Sequence, residues 1–194
     1  VLARKYRPQT FDDLMGQEIM VQTLKNAFKT NRIAHAYMLT GVRGVGKTTT
    51  ARLLARSLNY ETDIINEPNI DMLELGKHCL EIMESRHIDV IEMDAASRTG
   101  IADIREIIDS VNYSPASARY KIYIIDEVHM LSKAAFNGLL KTLEEPPAHV
   151  KFIFATTEVQ KIPLTILSRC QRFDLKRFDN DMIKLLIDKV CEDC

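Results

Sequence analysis

Between Gly41 and Thr48 the chain reads Gly-Val-Arg-Gly-Val-Gly-Lys-Thr. Glycines at 41, 44 and 46 let successive backbone N–H groups turn inward onto a polyphosphate. Lys47 can then reach the β and γ phosphates, and the Thr48 hydroxyl can bind Mg²⁺. A helix opening at Thr48 and Thr49 points the positive end of its dipole at the same anion. The second chemical element is Lys121-Ile-Tyr-Ile-Ile-Asp126-Glu127, an apolar run that ends in two carboxylates. Asp126 is placed to hold Mg²⁺ through water, and Glu127 to orient and deprotonate an attacking water. Either element alone has a plain structural reading, as a glycine-rich turn or a solvated strand end. Together they predict a nucleoside triphosphate site with hydrolytic machinery.

Such groups need a strand, a loop and a helix to hold them. Ala36-Tyr-Met-Leu-Thr40 is a buried-strand run directly before the loop, and Thr49 to Leu58 carries apolar residues at helical spacing after it. Strands are expected at 37–39, 89–93, 121–126, 151–155 and 172–175, mostly as the continuous apolar runs of a parallel sheet covered on both faces. Helices are expected at 17–30, 48–58, 76–85, 101–111 and 133–143, with Thr99 and Ser132 as N-caps. The alternation predicts an α/β fold, a three-layer sandwich around a five-stranded parallel sheet. Glu145-Pro-Pro147 ends the helix before it, because proline cannot continue the ladder.

Lys151-Phe-Ile-Phe-Ala-Thr-Thr157 suits a strand lying between the loop strand and the carboxylate strand, with its tip beside the γ-phosphate. Thr157 is then the polar sensor and Thr156 its alternative, while both also fit a strand closed by turn hydrogen bonds. Residues 59–75 have no clean period and include Pro68, so a surface excursion is expected there, packed by Ile70, Met72 and Leu73. A fresh helical pattern begins after Phe178. It divides the chain into a nucleotide-binding domain, 1–176, and the first part of a helical domain, 177–194.

The chain of 194 residues is 46% hydrophobic and 27% charged, which suits one globular core. It has neither an apolar run long enough to span a membrane nor a secretory signal, so a cytoplasmic location is expected. It starts at Val1 and stops after Cys194, as a fragment of a longer protein would. A net charge of −1 supplies no global field toward nucleic acid, so any contact with phosphate backbones must come from a local patch. The four cysteines are too scattered for a disulfide framework. Cys191 and Cys194 have no second Cys or His pair at zinc-ligand spacing.

Several long blocks together resemble the clamp-loader family of AAA+ ATPases. They are Leu2-Ala-Arg-Lys-Tyr-Arg-Pro-Gln-Thr-Phe11 with Gly16-Gln17, the phosphate loop, Asp94-Ala-Ala-Ser-Arg-Thr99, Ile125-Asp-Glu-Val-His-Met-Leu-Ser132, Leu140-Lys-Thr-Leu-Glu-Glu-Pro-Pro147 and Ser168-Arg-Cys170. The resemblance implies an AAA+ P-loop domain followed by the start of a helical lid. It implies an ATPase, with ATP and Mg²⁺ as ligands, that assembles with other clamp-loader subunits into a hetero-oligomer and places a sliding clamp on primed DNA. The alternatives are a non-hydrolysing scaffold subunit of the same assembly and another AAA+ DNA motor.

By position, the family's adenine pocket falls on Ala3, Arg7, Pro8, Met15 and Gly16, with Val45 beside the nucleotide. Sensor one falls on Thr157, and Arg169 becomes a finger that enters a neighbouring subunit's site. Arg98 and Arg105 become candidates for tracking DNA phosphates. The family's four-cysteine zinc module maps to Tyr60, Leu73, Gly76 and Cys79, of which only Cys79 is a good ligand, so no zinc is expected even with His78 adjacent. The isolated chain is expected to be monomeric and to turn ATP over slowly.

Overall fold

The computed structural model describes residues 7–98 and 101–192. Ala3, Thr99 and Cys194 lie outside them, with the residues before Arg7. In chain order the elements are α1 (Glu18–Lys29), β1 (Ala36–Thr40), α2 (Lys47–Leu58), α3 (Cys79–Met83), β2 (Val90–Asp94), α4 (Ile101–Ser110), β3 (Lys121–Asp126), α5 (Lys133–Glu144), β4 (Val150–Thr156), α6 (Leu164–Leu167), β5 (Gln171–Asp174) and α7 (Asn180–Glu192). Short 3₁₀ turns cover Val128–Met130 and Val159–Lys161. No helix among the described residues is long and apolar enough to cross a membrane.

The strands form one parallel sheet in the order β2-β3-β4-β1-β5. Successive side chains of a strand point to opposite faces, and both faces here are covered. Tyr37 and Leu39 of β1, Ile122 and Ile124 of β3, and Ile153 and Ala155 of β4 pack with α1, α2 and α3. Ala36, Met38, Tyr123, Ile125, Phe152 and Phe154 pack with α4, α5 and α6 on the other side. All seven residues of β4 are buried. Each large apolar side chain so buried contributes about 1.5–3 kcal/mol, and the central strands accordingly read as mostly apolar runs.

Strand order also explains where the pattern fades. β5 lies at an edge, alternates between half-buried and exposed residues, and starts one residue earlier than expected. Leu175 lies just beyond it, yet its N–H still donates to Thr40 O at 2.8 Å. α5 is capped by Ser132, whose side chain accepts from Ala135 N at 3.2 Å, and it stops at Glu144 ahead of the prolines.

The excursion departs from expectation in two ways. Residues 76–78 are not helical, because Lys77 N–H is drawn to Glu61 O at 2.8 Å, and α3 is only Cys79–Met83. Tyr60, Ile70, Met72 and Cys79 are buried, but Leu73 is 90% exposed and packs nothing. Asn69 Oδ1 accepts from the N–H groups of Asp71 and Met72, and Met72 takes a φ of +41°, a turn that throws Leu73 outward. A Cβ on Gly76 would meet Glu61 O and the Tyr60 ring at 3.0 Å and Cys79 Sγ at 3.2 Å. Positions 60, 76 and 79 therefore converge as a packed knot from which position 73 is absent.

Candidate nucleotide site

The sheet order reverses direction around β1, and ligands of open parallel sheets bind beyond the carboxyl ends of strands at such a point. β1 ends at Thr40 and delivers the chain to Gly41. A Cβ on Gly41 would meet Val45 Cγ1 at 2.9 Å and Leu175 O at 3.0 Å, so the loop closes tightly only around glycine. Gly46 caps α2 in the left-handed region at φ +96° and provides no side-chain cap. The first helical bond runs from Thr50 N to Gly46 O at 2.8 Å, which leaves the N–H groups of Lys47, Thr48 and Thr49 without an intrahelical acceptor. Lys47 is 6% exposed and folds back, its Nζ donating to Gly41 O at 3.0 Å and Val42 O at 3.1 Å. With two of three protons used, the ammonium sits at the mouth of the loop with one to give.

β3 carries the acids to the same place. Thr48 Oγ1 donates to Asp126 Oδ2 at 2.6 Å, and Asp126 Oδ1 accepts from Glu127 N at 2.9 Å. Glu127 itself has a φ of +48°, a conformation that costs a non-glycine residue about 1–3 kcal/mol and collects at functional positions. Thr157 Oγ1 donates to Glu127 Oε2 at 3.0 Å. Thr156, its alternative, turns instead to His129 Nδ1 at 2.9 Å and accepts from Glu158 N at 3.0 Å. β4 thus separates the threonine pair, and Thr157 is the member that meets the acid. Behind them Arg52 of α2 grips Glu92 of β2 with bonds of 2.7 and 2.9 Å, which ties the loop helix to the sheet edge and holds the guanidinium charged.

The positions assigned to the base divide. Arg7, Pro8 and Thr49 line a cavity of about 690 Å³ along α2, together with Arg52 and Arg56. Met15 and Gly16 lie outside that lining, where a Cβ on Gly16 would meet Met182 of α7 at 3.3 Å, and Val45 packs on Gly41. Gln17 bonds the backbone of Lys176 in both directions, at 3.1 and 3.3 Å, so residues 15–17 are fixed to the chain leaving β5.

Arg169 is far from its own loop. Gln171 pairs with Tyr37 and Asp174 with Thr40, so Arg169 sits before the start of β5, about 10 Å or more along the strands from Gly41. There it donates to Thr165 O at 2.7 Å and to Glu144 at 3.1 Å. Arg98 and Arg105 are exposed.

Two features of the site are not evident from the motifs. One is the Arg52–Glu92 clasp, signalled only by a basic residue one turn into the loop helix. The other is His129, two residues past Glu127, whose imidazole is nearly buried against it.

A family model described as "DNA polymerase III, delta subunit" matches residues 16–179. The DNA polymerase III subunit tau of Salmonella typhimurium is 54% identical over 190 residues, covering 98% of this chain and 29% of that protein. The subunit tau of Escherichia coli matches at the same identity and coverage. The DNA polymerase III subunit gamma of Buchnera aphidicola is 52% identical over 183 residues, covering 94% of this chain and 50% of its own length. The chain therefore spans about a third to a half of these relatives. Among solved structures, the Thermotoga maritima RuvB Holliday junction branch migration motor superposes with a TM-score of 0.64 at 19% identity, covering 95% of this chain and 53% of that one. A DNA polymerase III gamma subunit-related protein from the same organism gives 0.54 at 24% identity, covering 85% and 48%. The fold is the α/β P-loop architecture of AAA+ proteins.

Proposed function

Since the chain belongs to the DNA polymerase III tau/gamma family, we propose that it is the ATP-hydrolysing motor part of a clamp loader. In this reading it couples ATP binding and hydrolysis to the loading of a sliding clamp on primed DNA, in the cytoplasm and in a hetero-oligomer with other clamp-loader subunits. Residues 1–176 are its nucleotide-binding domain, and 177–194 begin a helical lid.

The observation that carries the proposal is the contact of Thr48 with Asp126 at 2.6 Å, beside a Glu127 that Thr157 already engages. A scaffold that does not hydrolyse has no use for the full set. The backbone N–H groups around Gly44 and Gly46, with Lys47, bind and orient the triphosphate. Thr48 and Asp126 would hold Mg²⁺, which neutralises charge on the β and γ phosphates. Glu127 takes the proton of the attacking water, and Thr157 senses the state of the γ-phosphate through the same carboxylate. Arg169, too distant for its own loop, serves the site of a neighbouring subunit. Arg7 and Pro8 flank the base with Met15, Gly16 and Val45, and the exposed Arg98 and Arg105 face DNA phosphates.

ATPase assays on the full-length chain with clamp and primed DNA test this. Stimulated turnover that disappears with Lys47→Ala is the expected result. Turnover that is neither stimulated nor lost would return the chain to a scaffold role.

A further inference from the structure

We propose that His129 is a positioning residue for Glu127, a role that rests on Glu127 acting as the base. The imidazole is only 5% exposed. Its Nδ1 lies 2.9 Å from Thr156 Oγ1 and 3.3 Å from Glu127 Oε2, and its Nε2 lies 3.5 Å from Glu158 Oε1. An ionised carboxylate only accepts, and the Thr156 hydroxyl keeps a lone pair after accepting from Glu158 N. Two acceptors therefore converge on Nδ1, and a proton there satisfies both. In this proposal the ring is an Nδ1–H donor shared between β4 and the base; with the proton on Nε2, facing Glu158, Nδ1 would instead accept from Thr156 and give nothing to Glu127.

Glu127 Oε2 then gathers the His129 N–H, the Thr157 hydroxyl at 3.0 Å and, at 3.4 Å, the Thr157 N–H. Among the described residues these contacts all fall on one oxygen, which frees Oε1 for the nucleophilic water. The backbone of Glu127 is already pinned, since its N–H binds Asp126 Oδ1. What remains loose is a flexible side chain, and His129 restrains it. The tip of β4 thus reaches the base by two routes, directly through Thr157 and indirectly through Thr156, Glu158 and His129. Such orientation affects the chemical step and leaves nucleotide binding alone.

The test compares Glu127→Gln, His129→Ala, His129→Asn and His129→Gln in the full-length chain with Mg-ATP, clamp and primed DNA. Glu127→Gln should bind ATP without turnover. His129→Ala should lower kcat about tenfold to a hundredfold while Kd for ATP stays within about twofold. Asparagine can place an amide N–H where Nδ1–H stood and should restore kcat to within about threefold. Glutamine reaches the Nε2 end and should not restore it. A merely space-filling role predicts the reverse order, because glutamine is closer in volume. If His129→Ala does not fold, the asparagine and glutamine variants decide the matter. A His129→Ala protein with kcat within twofold of wild type, or a glutamine variant that outperforms asparagine, overturns the proposal while leaving Glu127 as base. Turnover surviving in Glu127→Gln would remove the base itself, and both readings with it.

Discussion

Thr48 Oγ1 and Asp126 Oδ2 stand 2.6 Å apart, joining the first turn of α2 to the end of β3 through a single hydroxyl–carboxylate bond. A magnesium ion held by this pair, as proposed, would depend on the charge of Asp126. Asp126→Asn is expected to weaken Mg-ATP binding about tenfold to a hundredfold and to leave the binding of metal-free ATP nearly unchanged. Calorimetric titrations with Mg²⁺ and with EDTA give the two numbers. Equal losses in both would mean that the acid only braces the loop.

Arg169 makes the opposite prediction. Arg169→Ala should keep its own subunit's ATP affinity and yet reduce turnover of the assembly about 10³-fold or more, the usual worth of a finger supplied in trans. Assemblies doped with the variant should lose activity in step with the fraction added. Loss of ATP binding by the variant subunit would place Arg169 in its own site.

Lys151 is 3% exposed, with its Nζ 4.9 Å from the centre of the Tyr120 ring, and burial pushes its pKa down to about 8. In the unfolded chain it titrates near its ordinary value, so below about pH 8 the fold bears the cost of burying or neutralising this charge. Lys151→Met should stabilise the protein at pH 7 by roughly 1–3 kcal/mol. The advantage should shrink between pH 8 and 10, as the unfolded lysine also becomes neutral. Urea unfolding at both ends of that range measures it.

His87 Nδ1 accepts from Asp89 N at 3.0 Å, so its Nε2 carries the proton that bonds His78 Nδ1 at 2.9 Å. Burial, then the neighbouring His78, holds the pKa of His87 below the ordinary histidine value. The unfolded chain takes up the second ring proton, at Nδ1, more readily, so stability falls as the pH drops below about 6.5 and levels off only beneath the folded pKa. The slope contributed by one proton is at most about 1.4 kcal/mol per pH unit. His87→Asn, whose side-chain oxygen can still accept from Asp89 N, should flatten the dependence between pH 7.5 and 5.5. An equally steep profile in the variant would assign the titration elsewhere.

The sheet was legible where burial is two-sided. β1, β3 and β4 announce themselves because apolar residues fill most positions on both faces, and the loop and acids lie at their ends. Edge strands and the excursion were less readable. Leu73 looks like a core residue by type, and only the positive φ of Met72 turns it out. Lys151 looks like a solvated strand start, but the pairing of β3 with β4 seals it. His129 was hidden for a different reason. Its partners arrive from a strand tip almost thirty residues on, at Thr156 and Glu158, and no local pattern records that approach.

The placing of Arg169 before β5, with Gly41 beyond β1, gives the molecule a hook at one end and an eye at the other. A two-fold dimer could thread both only if hook and eye shared one face, because such a dimer joins one patch to its own copy. If Arg169 serves a neighbour's loop, as proposed, and the two lie on different faces, subunits queue in one direction. Unless such a queue closes into a circle, the last eye stays unthreaded.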